Sequence, residues 1–194
     1  MDKAIFIDRD GTINYNRNGY IYKIEDFEII PGVIEGLKLL DKIKAYKIII
    51  TNQSGIARGI YTEDDLHKLM NYMFSILEKN GIKSKFNYYF CPHHPTKAKI
   101  EKYKIDCNCR KPKTGMFEQA IKDYNLDPKK CFCIDDSWKG IEPMLNLGGK
   151  GILIKKNGKR FEKNYKEKII ESRNNVIVAD NLYQAALILY ENKF

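Results

Sequence analysis

The chain has 194 residues, of which 43% are hydrophobic and 30% charged, and its net charge is +9. This length suits one globular domain with a full hydrophobic core, and no apolar run approaches the roughly 18 residues of a membrane span. Because the first predicted strand begins almost at the N-terminus, there is no room for a signal peptide, and we expect a cytoplasmic protein. We expect residues 1–194 to form a single domain that acts as a monomer and does not enter membranes.

The positive charge does not by itself indicate a nucleic-acid partner. Lysines are spread over the whole chain, and the densest basic stretch, Lys155 to Lys168, also contains two Glu. We interpret this stretch as a solvated surface, and we expect no nucleic acid to bind. A small phosphorylated substrate would also be attracted by such a field.

Apolar strand-like runs alternate with amphipathic helix-like stretches along the chain. Strands are predicted at 3–7, 46–51, 86–90, 131–135, 151–155 and 176–179, and helices at 32–44, 62–79, 114–124, 139–147 and 181–191. Strands separated by helices form a parallel sheet covered on both faces, so we predict a doubly wound, Rossmann-like α/β domain. In such sheets, ligands bind beyond the carboxyl ends of the strands.

Two carboxylates follow the first predicted strand, in the segment Asp8-Arg9-Asp10-Gly11-Thr12. Residues two apart in an extended chain project to the same side, so Asp8 and Asp10 can face one point. They repel each other unless a cation lies between them or they share a proton. The pair therefore indicates a hard divalent metal, acid–base and nucleophilic chemistry, or both. A solvated Asp-Gly turn would be the better explanation if the pair stood alone.

Other chemically active side chains also lie next to predicted strand ends. Thr51 follows the second strand, Asp135 and Asp136 follow the fourth, and Arg110-Lys111 precedes a helix, where a basic pair and a helix N-terminus can meet an anion. Together they supply what phosphoryl transfer to a carboxylate requires. The predicted roles are Asp8 as nucleophile, Asp10 as acid and base, Thr51 and Lys111 as phosphate ligands, and Asp136, with Asp135 as a further candidate, as Mg²⁺ ligands.

This order of motifs resembles the haloacid dehalogenase superfamily of phosphatases. The resemblance covers essentially the whole chain and implies that Mg²⁺ is bound by Asp8, by the backbone carbonyl of Asp10 and by Asp136. One residue departs from the superfamily pattern, because Gly140 occupies a position, four after Asp136, that is often acidic. The role of Asp135 is therefore open.

A second group of metal-binding side chains consists of Cys91-Pro92-His93 and, 13 residues later, Cys107-Asn108-Cys109. Three thiols and one imidazole in two close pairs match a closed, tetrahedral structural zinc site. The predicted zinc loop, 91–109, ends directly at Arg110-Lys111 and would fix both side chains over the phosphate. His94 is an alternative ligand. The other two cysteines, Cys131 and Cys133, fall in an apolar strand and are predicted to be core residues.

The zinc loop joined to Arg-Lys-Pro resembles the branch that holds the D-glycero-D-manno-heptose 1,7-bisphosphate phosphatases and the histidinol-phosphate phosphatases. The segments TNQSGIARG, CPHHP and GYIYKIEDFEIIPGV resemble the heptose enzymes. A second cation, Arg58, suits a second phosphate, and we expect the anomeric phosphate to be removed and the 7-phosphate kept. The predicted substrate-binding residues are Gly19, Tyr20, Asn52, Gln53, Ser54, Arg58 and Arg110.

The gaps between the motifs are too short for a separate cap domain, so an open site is expected. Three alternative functions remain. The first is a histidinol-phosphate phosphatase and the second a nucleic-acid 3′-phosphatase. The third is a zinc-stabilised binding protein without activity, against which the intact set of predicted catalytic residues argues.

Overall fold

The computed structural model describes residues 2–16, 19–155, 172 and 175–192. Most of the basic stretch from Lys155 to Lys168 therefore lies outside the described residues. Within the described part, none of the helices combines the length and the apolar character that crossing a membrane requires.

Strands and helices alternate along the chain. The strands are β1 (Ala4–Ile7), β2 (Tyr46–Asn52), β3 (Phe86–Cys91), β4 (Phe132–Asp135), β5 (Lys150–Ile154) and β6 (Val176–Ala179). The helices are α1 (Val33–Asp41), α2 (Glu63–Lys79), α3 (Gly115–Tyr124), α4 (Trp138–Asn146) and α5 (Leu182–Glu191). Short 3₁₀ turns lie at Ile24–Asp26, Glu101–Tyr103 and Pro128–Lys130.

The strands form one parallel sheet in the order β3-β2-β1-β4-β5-β6. Alternate side chains of β1 face opposite sides of this sheet, with Ile5 and Ile7 in one core and Phe6 in the other. The first core contains the apolar faces of α1, α2 and α5, and the second those of α3 and α4. The predicted doubly wound fold is confirmed.

The predicted element boundaries agree with the structure within a few residues, and the largest difference is at the end of α1. This helix ends at Asp41, although the sequence pattern predicts helix to residue 44. Beyond Asp41, the N–H of Ile43 donates three residues back to Leu40 and that of Ala45 donates two back to Ile43, so the bonding to the fourth preceding residue that defines an α-helix is lost. The chain turns there and enters β2.

β1 and β4 run side by side at the centre of the sheet, with β2 and β3 on one side of this pair and β5 and β6 on the other. The switch point of the strand order therefore lies between β1 and β4. The carboxyl ends of this pair form the crevice in which doubly wound folds bind their ligands. The described residues between Asp10 and β2, and between Thr51 and Lys111, form no separate cap domain. The site at this crevice is therefore reached without moving a second domain.

Candidate active site

Lys111 connects the ends of three strands in the crevice. Its ammonium donates hydrogen bonds to Asp8 Oδ1 at 2.7 Å, to Asp135 Oδ2 at 2.6 Å and to the Ile50 carbonyl at 3.0 Å. The Asn52 side chain accepts from the backbone N–H of Lys111 at 3.1 Å and donates to its carbonyl at 3.2 Å. β1, β2 and β4 thus all determine where this ammonium lies, although Lys111 itself belongs to a loop.

The electrostatics of this cluster follow from burial. Only 7% of Asp8 and 8% of Lys111 is exposed to solvent. Burial, and then the negative charge of Asp135, raise the pKa of Asp8 well above its usual value, and Lys111 opposes this shift. Burial alone would lower the pKa of Lys111, but Asp135 and Asp8 together raise it above its ordinary value. Lys111 therefore stays charged at neutral pH.

A third carboxylate, that of Asp136, completes the group. One oxygen atom from each of Asp8, Asp135 and Asp136 lies within 4.8 Å of the other two. Gly11 allows this approach, because a Cβ atom built on it would lie 2.1 Å from Asp136 Oδ2, and because its φ of +90° suits glycine. The glycine of the Asp-x-Asp-Gly segment is thus required both by the turn and by the neighbouring carboxylate.

The departure at Gly140 has a steric explanation. A Cβ atom built on Gly140 would lie 1.7 Å from Asp135 Oδ2, so the Asp135 carboxylate fills the space that a side chain at 140 would need. The backbone N–H and the hydroxyl of Ser137 donate to Asp135 Oδ1 at 2.9 and 2.7 Å. Asp135 is therefore held between Ser137 and Lys111, directly over Gly140.

Asp10 lies in a separate network of hydrogen-bond donors. The buried guanidinium of Arg9 contacts both carboxylate oxygens of Asp10 at 2.6 Å. Asn14 donates to Asp10 Oδ1 at 3.1 Å, and Gln53 donates to Asp10 Oδ2 at 2.8 Å. Gln53 also donates to the hydroxyl of Thr51 at 2.8 Å. The carboxylate of Asp10 is thus fixed in orientation by three neighbouring side chains.

Two adjoining cavities open at the crevice. The first, of about 210 Å³, is lined by Asp8, Asp10, Asn16, Gly19, Tyr20, Ile21, Thr51, Asn52, Gln53, Lys111, Asp135, Asp136 and Ser137. The second, of about 430 Å³, shares Asn52, Lys111 and Ser137 with the first and carries the basic side chains of Arg110, Lys113 and Lys139. We name them the carboxylate cavity and the basic cavity.

The structure distributes the predicted substrate-binding residues over different places. Gly19, Tyr20, Asn52 and Gln53 line the carboxylate cavity, and Arg110 lines the basic cavity. Ser54 and Arg58 are absent from the linings of both, and the Arg58 guanidinium lies 5.9 Å from the centre of the Tyr20 ring. Ser137 and Lys139, which line these cavities, are not among the predicted site residues. Both follow Asp136 within three residues, so their place after β4 was the available signal.

The predicted zinc ligands lie together at the edge of the basic cavity. The thiol of Cys109 lies 3.0 Å from that of Cys91, 3.1 Å from that of Cys107 and 3.2 Å from Nδ1 of His93. A tetrahedral zinc site places its ligand atoms about 3.5–3.8 Å apart, so one ion can contact all four side chains. The hydrogen bond from Cys91 is the main cause that lowers the pKa of Cys109 to about 5, which favours the thiolate that metals bind.

Comparison with known proteins identifies the family. A family model described as polynucleotide kinase 3 phosphatase matches residues 3–150. D-glycero-beta-D-manno-heptose-1,7-bisphosphate 7-phosphatase of Pasteurella multocida (strain Pm70) is 46% identical over 155 residues, which are 80% of this chain and 79% of the relative. The chain belongs to the family of these heptose-bisphosphate phosphatases. It is thus a phosphoric monoester hydrolase. Its resemblance to the haloacid dehalogenase superfamily is confirmed by a HAD-like phosphatase of Mesorhizobium loti, whose structure is 26% identical and matches 78% of this chain and 71% of its own with a TM-score of 0.71.

Two further known proteins are similar to this chain, one in sequence and one in fold. D-glycero-alpha-D-manno-heptose-1,7-bisphosphate 7-phosphatase of Campylobacter jejuni is 42% identical over 171 residues, which are 85% of this chain and 92% of the relative. The crystal structure of the D,D-heptose 1,7-bisphosphate phosphatase of B. bronchiseptica, complexed with magnesium and phosphate, has a TM-score of 0.80 at 23% identity. The structural alignment covers 98% of this chain and 99% of the B. bronchiseptica chain, so the two proteins share a fold.

The names of these phosphatases correct one expectation. The relatives from P. multocida and C. jejuni are 7-phosphatases, whereas we expected the anomeric phosphate to be removed. That expectation is wrong for this family. Both ends of the sugar carry a similar dianion, and motifs that bind a phosphate do not specify which of the two dianions reaches the nucleophile.

Proposed function

We propose that this chain is a Mg²⁺-dependent phosphatase that hydrolyses D-glycero-D-manno-heptose 1,7-bisphosphate at C7, as a cytoplasmic monomer. The observation that carries the proposal is the Lys111 ammonium bound between Asp8 and Asp135, beside Asp136, at the carboxyl ends of β1 and β4. This cluster lies where doubly wound folds bind ligands. It adjoins a cavity lined by four basic side chains, Arg110, Lys111, Lys113 and Lys139, of which Lys113 is paired with Asp106. The heptose-specific part of the proposal is supported by relatives that carry that activity in their names.

The carboxylate cluster fits a magnesium ion. Three carboxylates meet one ammonium, so the group carries excess negative charge, and carboxylate oxygen is the ligand that Mg²⁺ prefers. The space over Gly11 that receives the Asp136 carboxylate would be closed by any side chain. We assign the ion to Asp8, Asp136 and the Asp10 carbonyl, and we assign Asp135 to Lys111. When bound, Mg²⁺ would neutralise charge on the nucleophile and on the phosphate.

The residues of the cavity then divide the reaction into two steps. Lys111 binds Oδ1 of Asp8, which leaves Oδ2 as the attacking atom. In the first step, Oδ2 attacks phosphorus and the bond between phosphorus and the C7 oxygen breaks. Asp10 gives a proton to the departing C7 oxygen. Asp10 next takes a proton from water, which attacks the aspartyl phosphate, releases inorganic phosphate and regenerates Asp8. Thr51 and the Lys111 ammonium bind the oxygens of the transferred phosphoryl group.

The basic cavity suits the phosphate that does not react. Arg110 and Lys139 lie there, next to the shared wall of Asn52, Lys111 and Ser137, so a substrate with two phosphates can span both cavities. A monophosphate can use only one of them. Binding energy from the remote phosphate would then orient the sugar for attack.

A comparison of substrates tests this assignment. With Mg²⁺ present, we expect kcat/KM for the heptose 1,7-bisphosphate to exceed that for histidinol phosphate by at least about 100-fold, because one charge-assisted contact is worth about 1.5–3 kcal/mol and two are lost. An oligonucleotide with a 3′-phosphate belongs in the same assay, because the matching family model is described by that activity. A kcat/KM for histidinol phosphate or for the oligonucleotide that equals or exceeds that for the bisphosphate would contradict the assignment.

We also propose that Cys91, His93, Cys107 and Cys109 hold one structural Zn²⁺. The ion would fix the neighbouring Arg110, whose guanidinium donates to the His93 carbonyl at 3.4 Å. Four protein ligands leave no position for a catalytic water, so the proposed role is structural.

Loss of one zinc ligand separates this role from general damage to the fold. We expect Cys109→Ser to lower the zinc content, measured by mass spectrometry, from one per chain to less than half. The Cys109→Ser variant should have a KM for the bisphosphate that is at least about 10-fold higher, since one misplaced Arg costs roughly 1.5 kcal/mol of binding energy. Its KM for 4-nitrophenyl phosphate should change little. Cys131→Ser, a buried cysteine outside the cluster, is the matched control. A zinc-free protein of full activity would contradict the proposal.

A further inference from the structure

We propose that Gln53 and Tyr61 form a positioning pair that holds the Asp10 carboxylate in place for proton transfer. The inference rests on the proposed function, because it deepens the role given there to Asp10. It also changes the role of Gln53, which the sequence pattern predicts to bind substrate.

The hydrogen bonds of Gln53 fix the direction of its amide. Only 1% of the residue is exposed, and its Nε2 donates to Asp10 Oδ2 and to the Thr51 hydroxyl, both at 2.8 Å. Its Oε1 accepts from the hydroxyl of Tyr61 and from Arg9 Nη2, the latter at 3.5 Å. Donors face the amide oxygen and acceptors face the amide nitrogen, so no other orientation of this amide satisfies all four partners. Gln53 thus aims a donor at Asp10.

Tyr61 is itself held by aromatic packing. Its ring stacks on Tyr22 with centroids 5.0 Å apart and tilts against Tyr20 at 6.1 Å. A Cβ atom on Gly55 would lie 2.1 Å from the Tyr61 ring and 2.9 Å from the Tyr20 ring, so the glycine permits this packing. Because Tyr20 lines the carboxylate cavity, these rings connect the cavity wall to Gln53 and so to Asp10.

Arg9 completes the support on the other side of the carboxylate. Its guanidinium contacts both oxygens of Asp10 and donates to the Ile21 carbonyl at 3.1 Å. Arg9 carries the charge that Asp10 faces, whereas Gln53 links Asp10 to Thr51. A variant of Gln53 therefore removes orientation without removing the opposing charge.

The leaving group provides a readout that a merely structural role would not change. A sugar alkoxide needs a proton from Asp10, whereas 4-nitrophenolate leaves without one at neutral pH. For Gln53→Met, we expect kcat/KM on the heptose bisphosphate to fall by about 30- to 100-fold, near the lower end of the roughly 10²- to 10⁴-fold that general acid catalysis contributes. The kcat/KM on 4-nitrophenyl phosphate should change by less than about 3-fold, because kcat/KM reports the steps up to departure of the leaving group and not the later hydrolysis in which Asp10 serves both esters.

Tyr61→Phe gives an independent test that keeps the stacked ring. Loss of the hydroxyl frees the amide to turn, and we expect the same selective fall in kcat/KM, by about 5-fold. Tyr22→Phe changes the same aromatic cluster without touching Gln53 and should leave both kcat/KM values unchanged. Equal losses of kcat/KM on both substrates, or a loss on the bisphosphate that lies in KM alone, would overturn the proposal.

Failure of the proposed function would look different. If the unmodified protein hydrolysed 4-nitrophenyl phosphate but not the heptose bisphosphate, the substrate assignment would fail. The positioning role would then be tested with glycerol 3-phosphate as the alkyl ester. The effect of Gln53→Met on its hydrolysis would be compared with the effect on hydrolysis of 4-nitrophenyl phosphate. Unequal losses for the two esters would support it, and equal losses would overturn it.

Discussion

Replacement of Asp8 by Asn is expected to reduce turnover of every phosphate ester by at least about 10⁴-fold, the scale on which nucleophile variants lose rate. The amide cannot attack phosphorus as a carboxylate does, and no aspartyl phosphate can form. The loss should appear in kcat with both the heptose bisphosphate and 4-nitrophenyl phosphate, because the nucleophile serves both. Asp26→Asn changes an exposed aspartate and is the matched control.

The same variant should not be less stable than the unmodified protein in metal-free buffer. Burial and Asp135 raise the pKa of Asp8, so its ionisation opposes folding at neutral pH. This cost shrinks as the pH falls from the raised folded-state pKa and is absent only below the lower pKa of the unfolded chain. We therefore expect Asp8→Asn to raise Tm at neutral pH and to have less effect in acid. An inactive variant that is unfolded at neutral pH, or an active one that is folded, would contradict the role of Asp8.

Replacement of Lys111 by Met should have the largest effect on stability. The change leaves the buried carboxylates of Asp8 and Asp135 without their shared ammonium, and breaking a buried ion pair by removing one partner costs about 3–5 kcal/mol. Turnover should fall by roughly 10²- to 10³-fold, as for the loss of one donor to a developing oxyanion. Urea unfolding without metal measures the first effect, and the steady-state rate with Mg²⁺ measures the second.

Lys122→Met, an exposed lysine on α3, is the control for Lys111→Met. If Lys111→Met does not fold, Lys111→Arg keeps the charge but not the fit to two carboxylates and one carbonyl, and it should fold with reduced activity. Equal urea midpoints for Lys111→Met and Lys122→Met would show that the ammonium does not hold the cluster together.

The sequence could predict where the reactive side chains lie because the fold has a simple rule. Residues at the carboxyl ends of the strands of a doubly wound sheet meet at one edge. Asp8 and Asp136 each follow a strand, and Thr51 is the last residue but one of β2. Lys111 was recognised from its neighbouring Arg and the helix behind it, although no strand precedes it directly. The paired spacing of Cys and His likewise predicted four side chains that the structure brings together.

What the sequence could not predict depends on side-chain direction and packing. Gln53 directly follows β2, but only the structure shows its amide turned inward to Asp10. The role of Asp135 was open because Gly140 stands where the superfamily often has an acidic residue. In the structure, the absence of a side chain at Gly140 provides the space that the Asp135 carboxylate fills. The phosphate that is cleaved could not be predicted either, since the motifs bind any dianion.

The most direct test of the account is to follow hydrolysis of D-glycero-D-manno-heptose 1,7-bisphosphate by phosphorus NMR with Mg²⁺ present. We predict that the C7 phosphate signal disappears as inorganic phosphate appears in equal amount, that the anomeric phosphate signal persists, and that Asp8→Asn shows neither change. Loss of the anomeric signal first, or no release of phosphate from this sugar by a folded, Mg²⁺-loaded protein, would contradict the account.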